Sequence, residues 1–259
     1  MSELRRGGLG LYDLAGRVAV VAGGSGGIGA ATARRLAEAG ATVVVGYHTG
    51  RQRAADLIAS LPGQEQGHSA LRISVDDTPS IGAAAEAVRA RHGHCDVLVN
   101  CAGWTAAVAH ADLDALDDVT IDRVLVTNVR GAFALVRAFA PLLRGSGDAV
   151  VVTVSSVAAS SGTGSSIAYA AAKAAVDTMT MSLARVLAPQ VRVLAVAPAA
   201  VDTGFVPGRG RDAIEKQAAG TPLRVVVHPD DVAVTIIGIV THLRIATGTV
   251  ITVDGGSHL

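Results

Sequence analysis

The chain has 259 residues, with 22 Lys+Arg against 22 Asp+Glu, and is 50% hydrophobic but only 3% aromatic. That apolar fraction excludes a disordered chain. The balanced charge argues against nucleic acid or an anionic membrane as partner, since both need clustered Lys/Arg, and two cysteines cannot form the disulfide framework of a small secreted protein.

The first ten residues, MSELRRGGLG, lack the apolar core of a secretory leader. Apolar runs such as residues 232–240 fall short of the roughly 18 residues needed to cross a bilayer. A cytoplasmic protein of one domain, residues 1–259, is expected. Short β-branched runs then alternate with Ala-rich helical patterns, the signature of parallel βαβ units. The strands are expected at 18–22, 42–45, 71–75, 97–100, 149–155, 191–197 and 250–253. The helices are expected at 29–39, 51–60, 79–92, 119–143, 169–188 and 230–241. The strands are almost continuously apolar, as they must be when helices cover both faces of a sheet. The fold class is therefore α/β, a doubly wound (Rossmann) fold with a seven-stranded parallel sheet. Residues 202–221, rich in Gly and Arg with a short helix at 212–219, read as a lid or substrate loop.

The first strand runs straight into GGSGGIG: Gly23, Gly24, Ser25, Gly26, Gly27, Ile28 and Gly29. Glycines permit a tight turn and let backbone approach a pyrophosphate, while the following helix offers unpaired N–H groups to the phosphates. Such a turn can simply link a strand to a helix, but its place at the first junction of a βαβ pattern favours a dinucleotide. Tyr169 and Lys173 stand four apart on one helical face, with Ser156 thirteen residues upstream at the carboxyl edge of a strand. An arbitrary Tyr-x-x-x-Lys is usually just an amphipathic surface. Joined to the glycine turn and the serine, it reads as proton chemistry. A phenol near pKa 10 needs a neighbouring ammonium to act near neutrality. Ser156 would hold the substrate oxygen while Tyr169 transfers the proton.

Together these motifs resemble the short-chain dehydrogenase/reductase superfamily over nearly the whole chain, roughly residues 16–256, with 3-oxoacyl-[acyl-carrier-protein] reductases as the nearest layout. Gly23, Gly27 and Gly29 fall on the family's three glycines, and Ala22 replaces its opening Thr. The resemblance implies that Asp76, Asn100, Ala102 and Gly103 border the adenosine half of the cofactor. It implies that Asn128 holds a water in a proton relay with Lys173, completing a tetrad with Ser156 and Tyr169. Tyr169 and Lys173 also contact the cofactor, with Lys173 gripping the nicotinamide ribose. Pro198, Val201 and Thr203 would meet the carboxamide, with Ala199 in place of the usual glycine. The closing segment TGTVITVDGG (247–256) resembles a tail that supports tetramer contacts, so a homotetramer is expected.

The implied function is NAD(P)(H)-dependent interconversion of a carbonyl and a secondary alcohol, on a small molecule such as a 3-oxoacyl thioester. A sugar, a steroid or a small alcohol is the alternative substrate, and a non-catalytic dinucleotide sensor is the rival of another class. Tyr47 stands where NAD-selective folds carry an acid, followed by His48, Thr49 and Arg51, so nothing repels a 2′-phosphate. NADP is the preferred cofactor and NAD the alternative, because Gly26 replaces a basic residue common in NADP-dependent relatives. Four weaker signals remain. His92, His94 and Cys95 have metal-ligand types but lack a fourth partner and read as a helix end, so no metal is expected. Cys101 reads as an inert small hydrophobe, and Trp104 as a candidate for the pocket wall. Arg209 and Arg211 could meet an anionic substrate such as an acyl-carrier or CoA thioester.

Overall fold

A computed structural model describes residues 13–259; the leader reading of the first ten residues lies outside them. The elements in chain order are β1 (Val18–Ala22), α1 (Gly27–Glu38), β2 (Thr42–Tyr47), α2 (Arg51–Ser60), β3 (Ser69–Arg72), α3 (Thr78–His92) and β4 (Val97–Asn100). They continue with α4 (Asp118–Leu125), a π turn (Val126–Arg130), α5 (Gly131–Ser146), β5 (Ala149–Val154) and α6 (Ala158–Ser161). The last are α7 (Ile167–Leu187), β6 (Val191–Pro198), α8 (Arg211–Ala219), α9 (Pro229–Thr241) and β7 (Val250–Val253). The strands form one seven-stranded sheet in the order β3-β2-β1-β4-β5-β6-β7, and every pairing is parallel.

Side-chain alternation on β1 shows why the strands had to be apolar throughout. Val21 joins a cluster with Leu36 of α1 and Ile236 of α9, whereas Val20 joins Ile81 of α3 and Phe139 of α5 on the other face. Phe139 and Leu36 are fully buried, and truncating either to Ala costs about 2–5 kcal/mol. Local signals start and stop the helices. Asp77 caps α3 by accepting from the Ser80 N–H at 3.3 Å, and Gly93, at φ 77°, ends it. Ser166 caps α7 by accepting from the Tyr169 N–H at 3.2 Å, which fixes the start of the helix two residues ahead of Tyr169.

Two expected elements differ. The third strand ends at Arg72 instead of running over 71–75. Its last ladder bond is from the Ile73 N–H to Tyr47 O at 2.8 Å, and the Ser74 N–H then turns to Ser80 Oγ at 3.1 Å as the chain enters α3. The expected helix 119–143 is interrupted by the π turn. There Asn128 Nδ2 donates to Val124 O at 2.9 Å, taking the carbonyl that an ordinary helical N–H would use. Asp118–Ser146, 29 residues containing an 18-residue window of mean hydropathy 1.2, is by length and composition alone long and apolar enough to cross a bilayer, contrary to the expectation from contiguous apolar runs. In the fold it is the crossover from β4 to β5, with Leu135 and Phe139 packed on the sheet.

Parallel pairing aligns the carboxyl ends of all strands along one edge, and the order reverses between β1 and β4. Ala22 and Asn100 are partners there, so the loops after them diverge and open a crevice, the usual ligand position in open α/β sheets.

Candidate active site

The glycine turn fills the β1 side of that crevice. Gly24 N–H donates to Val21 O at 3.1 Å and to Gly46 O at 2.8 Å, tying the turn to the end of β2. Gly23 sits at φ 72°, and a Cβ there would lie 2.7 Å from Ala102 N. A Cβ on Gly29 would lie 2.2 Å from Gly23 O, so no side chain fits at the base of α1. The N-cap of α1 is Gly26, which offers no side-chain acceptor, and no acidic residue stands in the first turn. The first N–H groups of the helix therefore remain for an anion. This set fits a dinucleotide pyrophosphate.

On the β4 side, the Asn100 side chain accepts from Ala102 N–H at 3.1 Å, and Cys101 N–H donates to Ala22 O at 2.9 Å. These bonds brace the loop without the hydroxyl that Ala22 lacks. Gly103 lies beneath Asn128, and a Cβ there would meet Asn128 Oδ1 at 2.7 Å.

The chemistry-bearing side chains gather at the carboxyl ends of β5 and β6. A cavity of about 630 Å³ is lined by Ser156, Tyr169, Lys173, Thr203, Phe205 and Arg209, among others. Ser156 and Tyr169 line this cavity together, and Ser156 Oγ accepts from Ala158 N–H at 3.2 Å. Burial pushes the phenol up to about 12, the opposite of the lowering expected from Lys173, against the weaker pull of the Ser156 hydroxyl and of the Arg209 charge. Lys173, 5% exposed, donates from Nζ to Val154 O at 2.8 Å and stands 5.5 Å from the Tyr169 ring centroid. Burial lowers its ammonium to about 8, with Asp177 and Cys101 raising it. An uncharged phenol beside an ammonium that titrates at about 8 is a proton donor with a proton source next to it. Cys101 lines the same cavity, with its thiol pushed up to about 12 by burial, so it stays protonated.

Asn128 is buried and lies outside the cavity lining. Its Nδ2 donates to Trp104 O at 2.7 Å and to Val124 O, and its Oδ1 accepts from Trp104 N–H at 3.3 Å. The side chain is spent on the backbone, holding the loop after β4 against α4. The Trp104 ring packs with Val124, Ala168 and Ala172, under the Arg123 guanidinium at 4.0 Å, and is not on the cavity wall, so simple packing holds over a place in the pocket.

Residues 202–221 do reach the cavity. Thr203 Oγ1 accepts from Phe205 N–H at 3.3 Å, and the Phe205 ring meets Tyr169 at 6.0 Å between centroids. Pro198 and Val201 line the wall below them, and Pro198 O accepts from Val157 N–H at 3.1 Å. The two arginines of this segment part company. Arg211 faces outward, paired with Asp202 and with Glu215 at 2.7 Å, so the expectation that it meets substrate is not met. Arg209 faces the cavity.

At the other end of the crevice, Tyr47 closes β2, and His48 and Thr49 are exposed beyond it. Asp76 follows β3, its carboxyl held low first by the Ser74 hydroxyl at 2.5 Å and further by His48. A residue that the sequence reading missed joins them. A Cβ on Gly50 would lie 2.5 Å from Arg53 Nη2 and 2.9 Å from Ser25 Oγ, so this guanidinium folds back against the glycine turn. Its signal was an arginine in the first turn of α2, which had been passed over for Arg51. Two of the three suspected metal ligands are otherwise engaged, His94 Nε2 lying 3.2 Å from Asp96 Oδ2 and the buried Cys95 thiol bonding Val97 O, while His92 Nε2 is buried without a partner.

A doubly wound sheet with a glycine-rich first turn and a Ser–Tyr–Lys cluster at its carboxyl edge defines a nicotinamide-dependent oxidoreductase. The family model described as short chain dehydrogenase matches residues 17–213, and the chain belongs to that family. It is 38% identical over 244 residues to a protein of Streptomyces violaceoruber described as ketoacyl reductase 2 of the granaticin polyketide synthase, over 93% of this chain and 96% of the relative. It is 37% identical to cis-4-hydroxycyclohexanecarboxylate dehydrogenase of Sinomonas cyclohexanicum, again over 93% and 96%. A short chain dehydrogenase of Burkholderia cenocepacia J2315, solved in complex with NADP, superimposes with a TM-score of 0.87 at 34% identity, covering 95% of this chain and 99% of that one. The protein is an oxidoreductase that interconverts a carbonyl and an alcohol with a nicotinamide dinucleotide.

Proposed function

We propose that Tyr169 is the general acid in reduction and the base in oxidation, with Ser156 holding the substrate oxygen and NADP(H) as the preferred cofactor. The gathering of Ser156, Tyr169 and Lys173 on one cavity wall, with Lys173 beside the phenol ring, carries this reading. When bound, the dinucleotide supplies or accepts the hydride. Ser156 orients the carbonyl oxygen toward the phenol, and Tyr169 gives it a proton. Lys173 replaces that proton's charge and holds the nicotinamide ribose. Asn128 is a positioning residue that keeps Gly103 and Trp104 clear of the nicotinamide side. Residues 202–221 form the substrate loop of a single dinucleotide-binding unit.

The cofactor preference rests on the absence of a carboxylate at Tyr47, His48 and Thr49, and on Arg53, whose guanidinium beside Ser25 supplies the cation that Gly26 does not. The solved neighbour's NADP is consistent with this choice. A 3-oxoacyl compound is one substrate class, as the name of the Streptomyces relative suggests; a hydroxy acid is another, as the name of the Sinomonas relative suggests. A cytoplasmic homotetramer is the proposed working form. Phe133 of α5 and Met181 and Val186 of α7 are exposed apolar residues on the two helices expected to pair between subunits. The test is a panel of ketones and secondary alcohols with NADPH and NADH, followed at the nicotinamide absorbance. Turnover with higher kcat/KM for NADPH is expected, and a clear preference for NADH overturns the cofactor assignment.

A further inference from the structure

Arg209 is the one charged side chain of the cavity wall that the proton chemistry leaves without a task. Gly208, at φ 75°, lets the chain turn, so that Arg209 N–H reaches back to Val206 O at 3.3 Å and the side chain folds under the loop. There the guanidinium is half-buried on the wall that also holds Ser156 and Tyr169. A guanidinium has five N–H donors. One, on Nη2, meets a protein acceptor, Val201 O at 3.3 Å. The Nε–H is buried and has no partner.

Among the described residues no carboxylate pairs with Arg209. The cavity wall contains no Asp or Glu at all, only the cations Lys173 and Arg209. Two residues along the chain, Arg211 shows what an arginine of this loop does when acids are within reach: it takes both Asp202 and Glu215. A partly desolvated, unpaired cation costs free energy, and a carboxylate entering the cavity offsets that cost by accepting from the guanidinium's remaining Nη donors. Arg209 and Tyr169 line the same cavity of about 630 Å³, so one small molecule can meet both groups, and desolvation already lowers the Arg209 pKa.

We infer that Arg209 is the substrate's anion-binding residue, and that the protein acts on a keto or hydroxy compound carrying a carboxylate on the same small molecule. The inference rests on the oxidoreductase reading of this cavity and narrows its substrate class. A thioester of CoA or an acyl carrier shares the anionic character, but its phosphates lie at the far end of a long arm. The carboxylate has to be close to the reacting carbon.

Two measurements on the full chain with its cofactor test this. In the first, kcat/KM is compared for 4-oxocyclohexanecarboxylate and its methyl ester, and for 4-oxopentanoate and its methyl ester. The wild type should favour the acids by tenfold or more. Arg209→Gln should collapse that ratio toward one, and Arg209→Lys should keep part of it. Turnover of the neutral esters tests the oxidoreductase reading separately, because it does not need the ratio. The second measurement reads the subsite without turnover: calorimetric affinity for benzoate against benzamide, expected to favour benzoate in the wild type and to level in Arg209→Gln. Equal handling of acid and neutral probes by the wild type in both measurements overturns the inference. So does an Arg209→Gln loss confined to acetoacetyl-CoA and absent for the keto acids, since that result assigns the arginine to a phosphate.

Discussion

The two ends of the crevice solve opposite problems with the same sheet edge. At the end proposed for adenosine, the available groups are backbone N–H groups of an uncapped helix and exposed polar side chains such as His48 and Thr49. At the reacting end, the working groups are withdrawn from water. Lys173 is almost fully buried, and burial holds its ammonium at about 8 and raises the Tyr169 phenol to about 12. Water-exposed groups recognise charge at low cost but change little in acidity. Buried groups lose solvation and shift in acidity, Lys173 toward neutrality and Tyr169 away from it. The proposed division of labour places cofactor selectivity at the exposed end and proton transfer at the buried one.

The sharpest test of that division removes the proton donor. Tyr169→Phe should lower kcat by on the order of 10²–10⁴ while leaving dinucleotide affinity, read by fluorescence titration, within a few-fold. Turnover within a few-fold of wild type would break the assignment. The next effect is in pH. Because burial raises the Tyr169 phenol, oxidation should accelerate with pH, approaching tenfold per unit between about pH 7 and 9 in kcat/KM profiles. A flat profile would move the base elsewhere.

At the opposite end, Tyr47→Asp adds an acceptor for the ribose 2′-OH and a charge that repels a 2′-phosphate. The NADPH/NADH ratio of kcat/KM should move toward NADH by about tenfold, mainly through KM. A change in kcat alone would mean that the two ends are not separable. The smallest effect is thermodynamic. The folded-state pKa of Lys173, about 8, lies below its usual 10.5, so its destabilisation is full below about pH 8 and fades as pH rises toward 10.5. Lys173→Met should abolish turnover yet raise Tm at pH 7, by roughly 2–4 °C for each kcal/mol relieved, with the gain shrinking in melts at pH 9 to 10.

The layout of strands and helices was legible in the residues because burial on both faces demands unbroken apolar strands, and the GGSGGIG turn, Ser156, Tyr169 and Lys173 could be picked out by spacing alone. What spacing could not carry was direction. Two arginines separated by one glycine looked alike in sequence, and only the path of the loop sent Arg209 into the cavity and Arg211 out to Asp202 and Glu215. Whether Trp104 packs or lines the pocket was open in the sequence, and its contacts with Val124 of α4 and Ala168 and Ala172 of α7 decide for packing. Arg53 gained a place beside Ser25 because β1 and β2 are neighbours, although 28 positions separate the two residues. Local hydrogen bonding and hydrophobic periodicity act within a few residues, so the sequence by itself determined the elements and the motif that ends each one. Which side chain faces which cavity depends on contacts between residues far apart in the chain, and those exist only once the sheet has assembled its carboxyl edge.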